Sequence, residues 1–206
     1  MQGKSGSASR LGSYRSDIDG LRAVAVLTVL GFHAFPTWVT GGFIGVDIFF
    51  VISGYLISGI ILGRLAVATF SFADFYVRRI RRVFPALLVV LAACLVAGWF
   101  LLLPFEYKIF GKHVAAAAAF ASNFLLWKEA SYFDLDSELK PLLHLWSLGV
   151  EEQFYLLWPA ILFVAWKRKW NLFWVIACVA SLSFAIDLAI VERYRTAAFF
   201  SPATRF

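Results

Sequence analysis

Arg22 and His33 stand eleven residues apart inside an apolar run. At about 100° per residue that spacing returns to nearly the same helical face, about 16 Å further along the axis. An imidazole that titrates near neutrality suits proton abstraction from a hydroxyl, and a guanidinium suits holding an anion or stabilising developing negative charge. Each also has a bland reading: Arg22 can snorkel to headgroup phosphates, and His33 can be a satisfied structural histidine. The string Gly45-Val46-Asp47-Ile48-Phe49-Phe50-Val51-Ile52-Ser53-Gly54-Tyr55 follows. Its Asp47 is a carboxylate that wants a partner at that depth, and His33 is one on offer. Ser53-Gly54 reads first as a notch for close helix contact.

Two further constellations carry charge. Arg78-Arg79-Ile80-Arg81-Arg82 packs four guanidinium groups into five positions, which can hold phosphates bidentately or act as a topology signal touching anionic lipid. In the stretch from His144 to Tyr155, His144, Ser147, Glu151 and Tyr155 fall at three- and four-residue steps. On a helix they share one polar stripe. The adjacent Glu151 and Glu152 are expected to diverge, so that at most one joins the stripe. So many polar groups opening an apolar run point to a buried network or a site wall.

The elements that must position these groups are membrane spans. Of 206 residues 61% are hydrophobic and 16% charged, and the mean hydropathy is +0.77, beyond what a soluble surface tolerates. The apolar residues come in runs of roughly 17 to 22, the helix length that crosses a hydrocarbon core about 30 Å thick. The formal charge of +6 lies in short clusters between runs, which reads as topology signal and not as a nucleic-acid surface. Cys94 and Cys178 sit singly in apolar runs, so neither a disulfide framework nor a metal centre is implied.

The fold expected is an all-α, polytopic helical bundle of about five full spans. These run near Leu21–Val39, Phe43–Leu62, Val83–Leu103, Leu145–Trp166 and Leu172–Val191. A sixth stretch, His113–Trp127, has only 15 residues and is expected to be a short re-entrant or interfacial helix. Residues 1–15, rich in Gly and Ser, are expected to be a disordered cytoplasmic lead, with residues 16–206 forming one transmembrane domain. Lys167-Arg168-Lys169 places that end of its span in the cytoplasm by the positive-inside rule, leaving Asp134 to Lys140 outside. The protein is thus expected to be multi-pass in a plasma (inner) membrane, with a cytoplasmic amino terminus.

With these residues laid out, the chain resembles the membrane acyltransferase-three family, the O-acetyl and O-acyl transferases of bacterial surface glycans such as lipopolysaccharide and peptidoglycan. The likeness rests on Asp19-Gly20-Leu21-Arg22, the Arg22 to His33 spacing, the Gly45 to Tyr55 string, the arginines before Pro85-Ala86, and Trp146-Ser147 through Tyr155. It implies an acyl-CoA donor, in particular acetyl-CoA, used as substrate with no bound cofactor, and a glycan hydroxyl as acceptor. Arg22 and His33 are implied to be catalytic, with Glu151 or Glu152 supporting the site. Arg78, Arg79, Arg81 and Arg82 are implied to hold the donor, and Asp47, Ser53, Tyr55, His144 and Ser147 to complete the motif. The opening Tyr14 to Arg22 is similar to members that also carry an SGNH-hydrolase-like domain. The family continues through more helices, so this chain is expected to be an amino-terminal fragment, completed by such a domain or by a separate partner. The rival readings are a transporter or ion-conducting protein built on the same intramembrane charges, and an inactive truncated fragment.

Overall fold

The computed structural model describes residues 15–129 and 140–205, and every regular element among them is helical. The expected lead falls outside these residues apart from Arg15, and the expected outer loop falls outside them up to Lys140. The chain divides into two compact units, one reaching to Thr69 and one starting at Phe70.

The first unit is a helical pair, α1 (Ser16–Ala34) and α2 (Ile44–Ala66). α1 ends at Ala34 and not near Val39 because Phe35 precedes Pro36, and a residue before proline is pushed out of the helical region; Phe35 lies at φ −139°, ψ 63°. The pair is antiparallel and unusually close. Gly42 and Gly45 permit the approach: a Cβ on Gly42 would stand 2.1 Å from the Thr28 carbonyl oxygen, and one on Gly45 2.3 Å from that of Ala25. Ser53, expected to form the notch, is buried, but the tightest contact is one end further along. α2 closes in a Schellman turn, with Thr69 N–H on the Arg64 carbonyl and Ala68 N–H on that of Leu65. Ala68 takes the left-handed position, φ 54°.

The second unit holds α3 (Phe72–Leu101), α4 (Pro104–Ala118), α5 (Ser122–Glu129), α6 (Leu145–Lys167), α7 (Leu172–Ile190) and α8 (Arg195–Phe200), followed by a 3-10 turn at Pro202–Thr204. α3 begins eleven residues before the expected span, capped by Ser71 Oγ on the Asp74 N–H, and runs unbroken through Pro85. The arginine cluster is therefore helical, with Arg79 turned inward and Arg78, Arg81 and Arg82 exposed. What holds this extension is aromatic: Phe72 meets Phe163 of α6 at 5.3 Å, and Phe70 packs beside both. The second half of α3 packs with α4, burying Leu87, Leu91, Phe110, Val114 and Ala117 around Leu142.

The stretch expected as one short helix from His113 is the end of α4 followed by α5. The break is again a Schellman turn, Ala121 N–H to the Ala116 carbonyl and Phe120 N–H to that of Ala117, with Phe120 at φ 53°. Glycine normally fills that position, so the break had no glycine to announce it. Among the described residues four helices, α2, α3, α6 and α7, are long and apolar enough to cross a membrane. α1 is not among them, since Asp17, Asp19 and Arg22 occupy its opening turns and its apolar remainder is cut off before Pro36. The all-α, polytopic membrane architecture stands, with four such helices where five were expected. α7 turns most of its surface outward, as a lipid-facing helix does.

Candidate functional site

The first unit carries Arg22, His33, Asp47, Ser53 and Tyr55. Its antiparallel register is read directly from contacts: Arg15 beside Tyr55, Arg22 over the Phe49 ring at 5.4 Å, Ala25 and Thr28 at Gly45, Phe32 at Gly42. Asp47, half-buried, is thus level with the Arg22 to Thr28 stretch of α1, in the first turn of α2 where the helix dipole favours a carboxylate. Tyr55, exposed, belongs to the Arg15 end, where Arg15 also grips Asp17 at 2.7 Å. That hydrogen bond holds the Asp17 carboxyl down to about 2 and the Arg15 guanidinium above its usual range.

His33 is exposed and directs Nδ1 at the Val29 carbonyl oxygen, 2.9 Å away. A carbonyl only accepts, so Nδ1 carries a hydrogen, and in the neutral ring the lone pair is then on Nε2. One helical turn of backbone therefore fixes the tautomer a general base needs. Its ring stands edge-on to Phe32 at 5.4 Å.

In the second unit the polar groups of α3 and α6 meet. Arg79 Nε donates to Glu152 Oε1 at 3.1 Å, and its Nη2 lies 3.7 Å from Glu151 Oε1. The guanidinium carbon sits 3.5 Å from the centroid of the Tyr155 ring, and Tyr155 donates its hydroxyl to Glu151. One turn earlier Tyr76 donates to the Leu156 carbonyl at 2.9 Å. Both carboxylates thus reach one guanidinium, where divergence was expected; long side chains converge from adjacent Cα atoms on the forked donor of an arginine. The three side chains are nearly closed to solvent, at 15% for Arg79, 19% for Glu151 and 11% for Glu152. Arg78, Arg81 and Arg82 are exposed.

Depth follows from the same register. Glu152 lies fifteen residues before Lys167, about 22 Å along an α6 that is itself about 35 Å long. Arg79 therefore stands about a third of the way along α6 from its Leu145 end, inside the span. An anion about 4 Å from either carboxylate would be repelled by about 4 kcal/mol at an effective dielectric of about 20.

His144 and Ser147 stay at the α6 entrance, with Ser147 Oγ donating to the His144 carbonyl at 3.1 Å. They lie one to two turns ahead of Glu151 and take no part in the Arg79 contacts above. Trp146 of the same motif packs on Phe199 and Phe200 of α8, with Arg205 over its ring at 5.9 Å.

Two polar clusters escaped the sequence reading. Asn123 of α5, fully buried, and Gln153 of α6 exchange amide hydrogen bonds at 3.3 and 2.9 Å. Asn123 also donates to the Phe200 carbonyl, and Gln153 to that of Phe120. Gly149 leaves room for this contact: its Cβ would be 3.1 Å from the Phe120 oxygen. The available signal was a single asparagine in an alanine-rich apolar stretch, since an amide there must pair. The second cluster is Glu129, which receives His113 Nε2 at 3.0 Å and Lys140 Nζ at 3.3 Å. It ties α4, α5 and the entry to α6. Asn123→Leu is expected to lower stability by about 1–2 kcal/mol by orphaning the Gln153 amide and the Phe200 carbonyl. Adding Gln153→Leu should cost less than a second such loss, as a double-mutant cycle of thermal melts in detergent would reveal.

A family model described as an acyltransferase domain matches residues 15–203. Over 181 residues the chain is 38% identical to the peptidoglycan O-acetyltransferase of Listeria monocytogenes, which spans 86% of this chain and 29% of that protein. A Bacillus subtilis protein whose name assigns it provisionally as a peptidoglycan O-acetyltransferase is 42% identical over 154 residues, 73% of this chain and 24% of that one. A Staphylococcus aureus protein, provisionally named an O-acetyltransferase, is 37% identical over 201 residues, 93% of this chain and 33% of its own length. The chain thus spans about a quarter to a third of these curated relatives. No solved structure matches it.

Proposed function

Because the chain belongs to the acyltransferase domain family, we propose that it is the amino-terminal part of a membrane O-acyltransferase. The enzyme moves an acetyl group from a cytoplasmic acyl-CoA to a hydroxyl of a cell-surface glycan. Peptidoglycan is the first acceptor to test, given the names of the relatives. The protein lies in the plasma membrane with its amino terminus in the cytoplasm, on the positive-inside reading of Lys167-Arg168-Lys169.

The observation that carries this reading is His33, whose Nδ1–H on the Val29 carbonyl leaves Nε2 as proton acceptor. In the transfer, Nε2 takes the acceptor's hydroxyl proton as its oxygen bonds to the thioester carbonyl carbon. The carbon–sulfur bond then breaks and the proton passes to the departing thiolate, so that an ester and a free thiol result. Arg22, on the same helix face but about 16 Å along the axis, holds an anionic group of the donor away from the reacting carbonyl. The arginines of α3 supply the charge that holds the donor's phosphates. The donor is a substrate, and no resident cofactor enters.

His33→Ala in the full-length protein is expected to lose about 100-fold or more of the transfer while staying in the membrane at normal abundance. Mass spectrometry of ester-linked acetate on isolated glycans measures this, with a strain lacking the gene as baseline. Acetate at the undisturbed level would remove His33 from the chemistry, and no difference on deleting the gene would remove the acyltransferase reading.

A further inference from the structure

The four guanidinium groups of α3 are not equivalent. Taken around the helix at about 100° per residue, Arg81, Arg78 and Arg82 fall within an arc of about 100°, and Arg79 lies about 60° beyond Arg82. The three that share a face are exposed, whereas the fourth is 15% exposed. Arg79's fork is occupied on Glu152 and faces Glu151, and its flat face lies on Tyr155.

We propose that Arg79 is a positioning residue and not a ligand of the donor: it locks α3 against Glu151, Glu152 and Tyr155 of α6, and so presents Arg78, Arg81 and Arg82 to the donor's phosphates. The inference rests on the reading of this cluster as the donor dock, and narrows it from four residues to three.

Two physical arguments support the division. To bind a phosphate, Arg79 would have to leave two carboxylates, which would then repel the very anion it receives. Arg78, Arg81 and Arg82 stand within a turn of Arg79 and so inside the α6 span, where a charged side chain borders protein or a wet cavity and not hydrocarbon. Their shared face is thus a polar surface inside the span, set at a fixed angle by the Arg79 lock. Coenzyme A carries a diphosphate and a ribose phosphate, a charge pattern that several guanidiniums on one face can share.

The test is arginine labelling with phenylglyoxal, on the full-length protein in native-membrane discs, with sites resolved by peptide mass spectrometry. Arg78, Arg81 and Arg82 are expected to react at least ten-fold faster than Arg79, and added coenzyme A to protect those three. Glu151→Gln with Glu152→Gln should raise the Arg79 rate towards that of its neighbours. Initial rates add a second reading. Arg82→Gln should raise KM for acetyl-CoA ten-fold or more; Arg79→Gln should raise it too, through the lost lock, and Glu151→Gln with Glu152→Gln should reproduce that rise while leaving all four arginines in place. Arg79 labelling as fast as its neighbours and protected by coenzyme A, or a KM for acetyl-CoA left unchanged by Glu151→Gln with Glu152→Gln, overturns the assignment. Protection of none of the four by coenzyme A would instead defeat the donor reading, while the four labelling rates still decide whether Arg79 is locked.

Discussion

Arg79→Met is expected to destabilise the protein by about 3–5 kcal/mol, the usual cost of removing one partner from a desolvated ion pair. The magnitude comes from what is left behind. Methionine fills much of the volume and keeps an apolar contact with the Tyr155 ring, so packing changes little. Glu151 and Glu152, though, would remain as two carboxylates in a nearly closed space inside the span, without the cation that joins them. Their repulsion and their lost solvation are the penalty. A triple variant separates this from a packing loss: Arg79→Met with Glu151→Gln and Glu152→Gln keeps every side-chain length and lets Tyr155 donate to an amide oxygen. It should recover more than half of the lost stability, measured by thermal unfolding in one detergent for all three proteins. If the triple variant melts no higher than Arg79→Met, the unpaired charge is not the cause. The recovered protein should still be impaired in transfer, because neutral partners leave the α3 face without its lock.

That ion pair also marks where sequence reading stops. Arg22 and His33 lie on one helix, so a fixed angle per residue relates them without tertiary knowledge. Arg79 and Glu152 are 73 residues apart in the chain, and no periodicity relates them. The arginines read as a topology signal ahead of a span starting near Val83, because four charges in five positions are costly in hydrocarbon. Partnership with α6 and the aromatic contacts of Phe70 and Phe72 remove that objection, and so α3 starts at Phe72 and not near Val83. The split of α4 from α5 was hidden for a different reason. Its left-handed residue is Phe120, where glycine would have announced the turn, and the Phe120 carbonyl is engaged by Gln153 across the packing of α5 on α6. Helix existence, apolar length and the polar stripe opening α6 were legible, since each is a local pattern; the helix pairings that turn those patterns into a site are not local.

Gly42→Ala and Gly45→Ala are expected to undo the α1–α2 pair, an outcome out of proportion to one methyl group. An added Cβ at Gly42 meets the Thr28 carbonyl oxygen at 2.1 Å and Phe32 Cβ at 2.7 Å; at Gly45 it meets the Ala25 oxygen at 2.3 Å and Thr28 Oγ1 at 2.7 Å. The nearest obstacle in each case is backbone, which cannot rotate away, so relief requires the helices to part by about an ångström. Neither glycine has a positive φ, and the requirement is space alone. Parting the helices moves Arg22 away from Phe49 and carries His33 with it. Misplacement of reacting groups by about 1 Å can cost about 100-fold in rate, so each variant should reduce glycan acetylation nearly as far as His33→Ala does. Gly59→Ala is the control. It lies on α2, as Gly45 does, with nothing within 4 Å of its Cβ, and should keep full activity with a gain of about 0.5–1 kcal/mol in helix stability. Limited proteolysis of the membrane-embedded protein should find the α1–α2 connection newly cut in the Gly42 and Gly45 variants and intact in the Gly59 one. Equal activity in all three would show that the close approach of α1 and α2 is not what holds His33 in place.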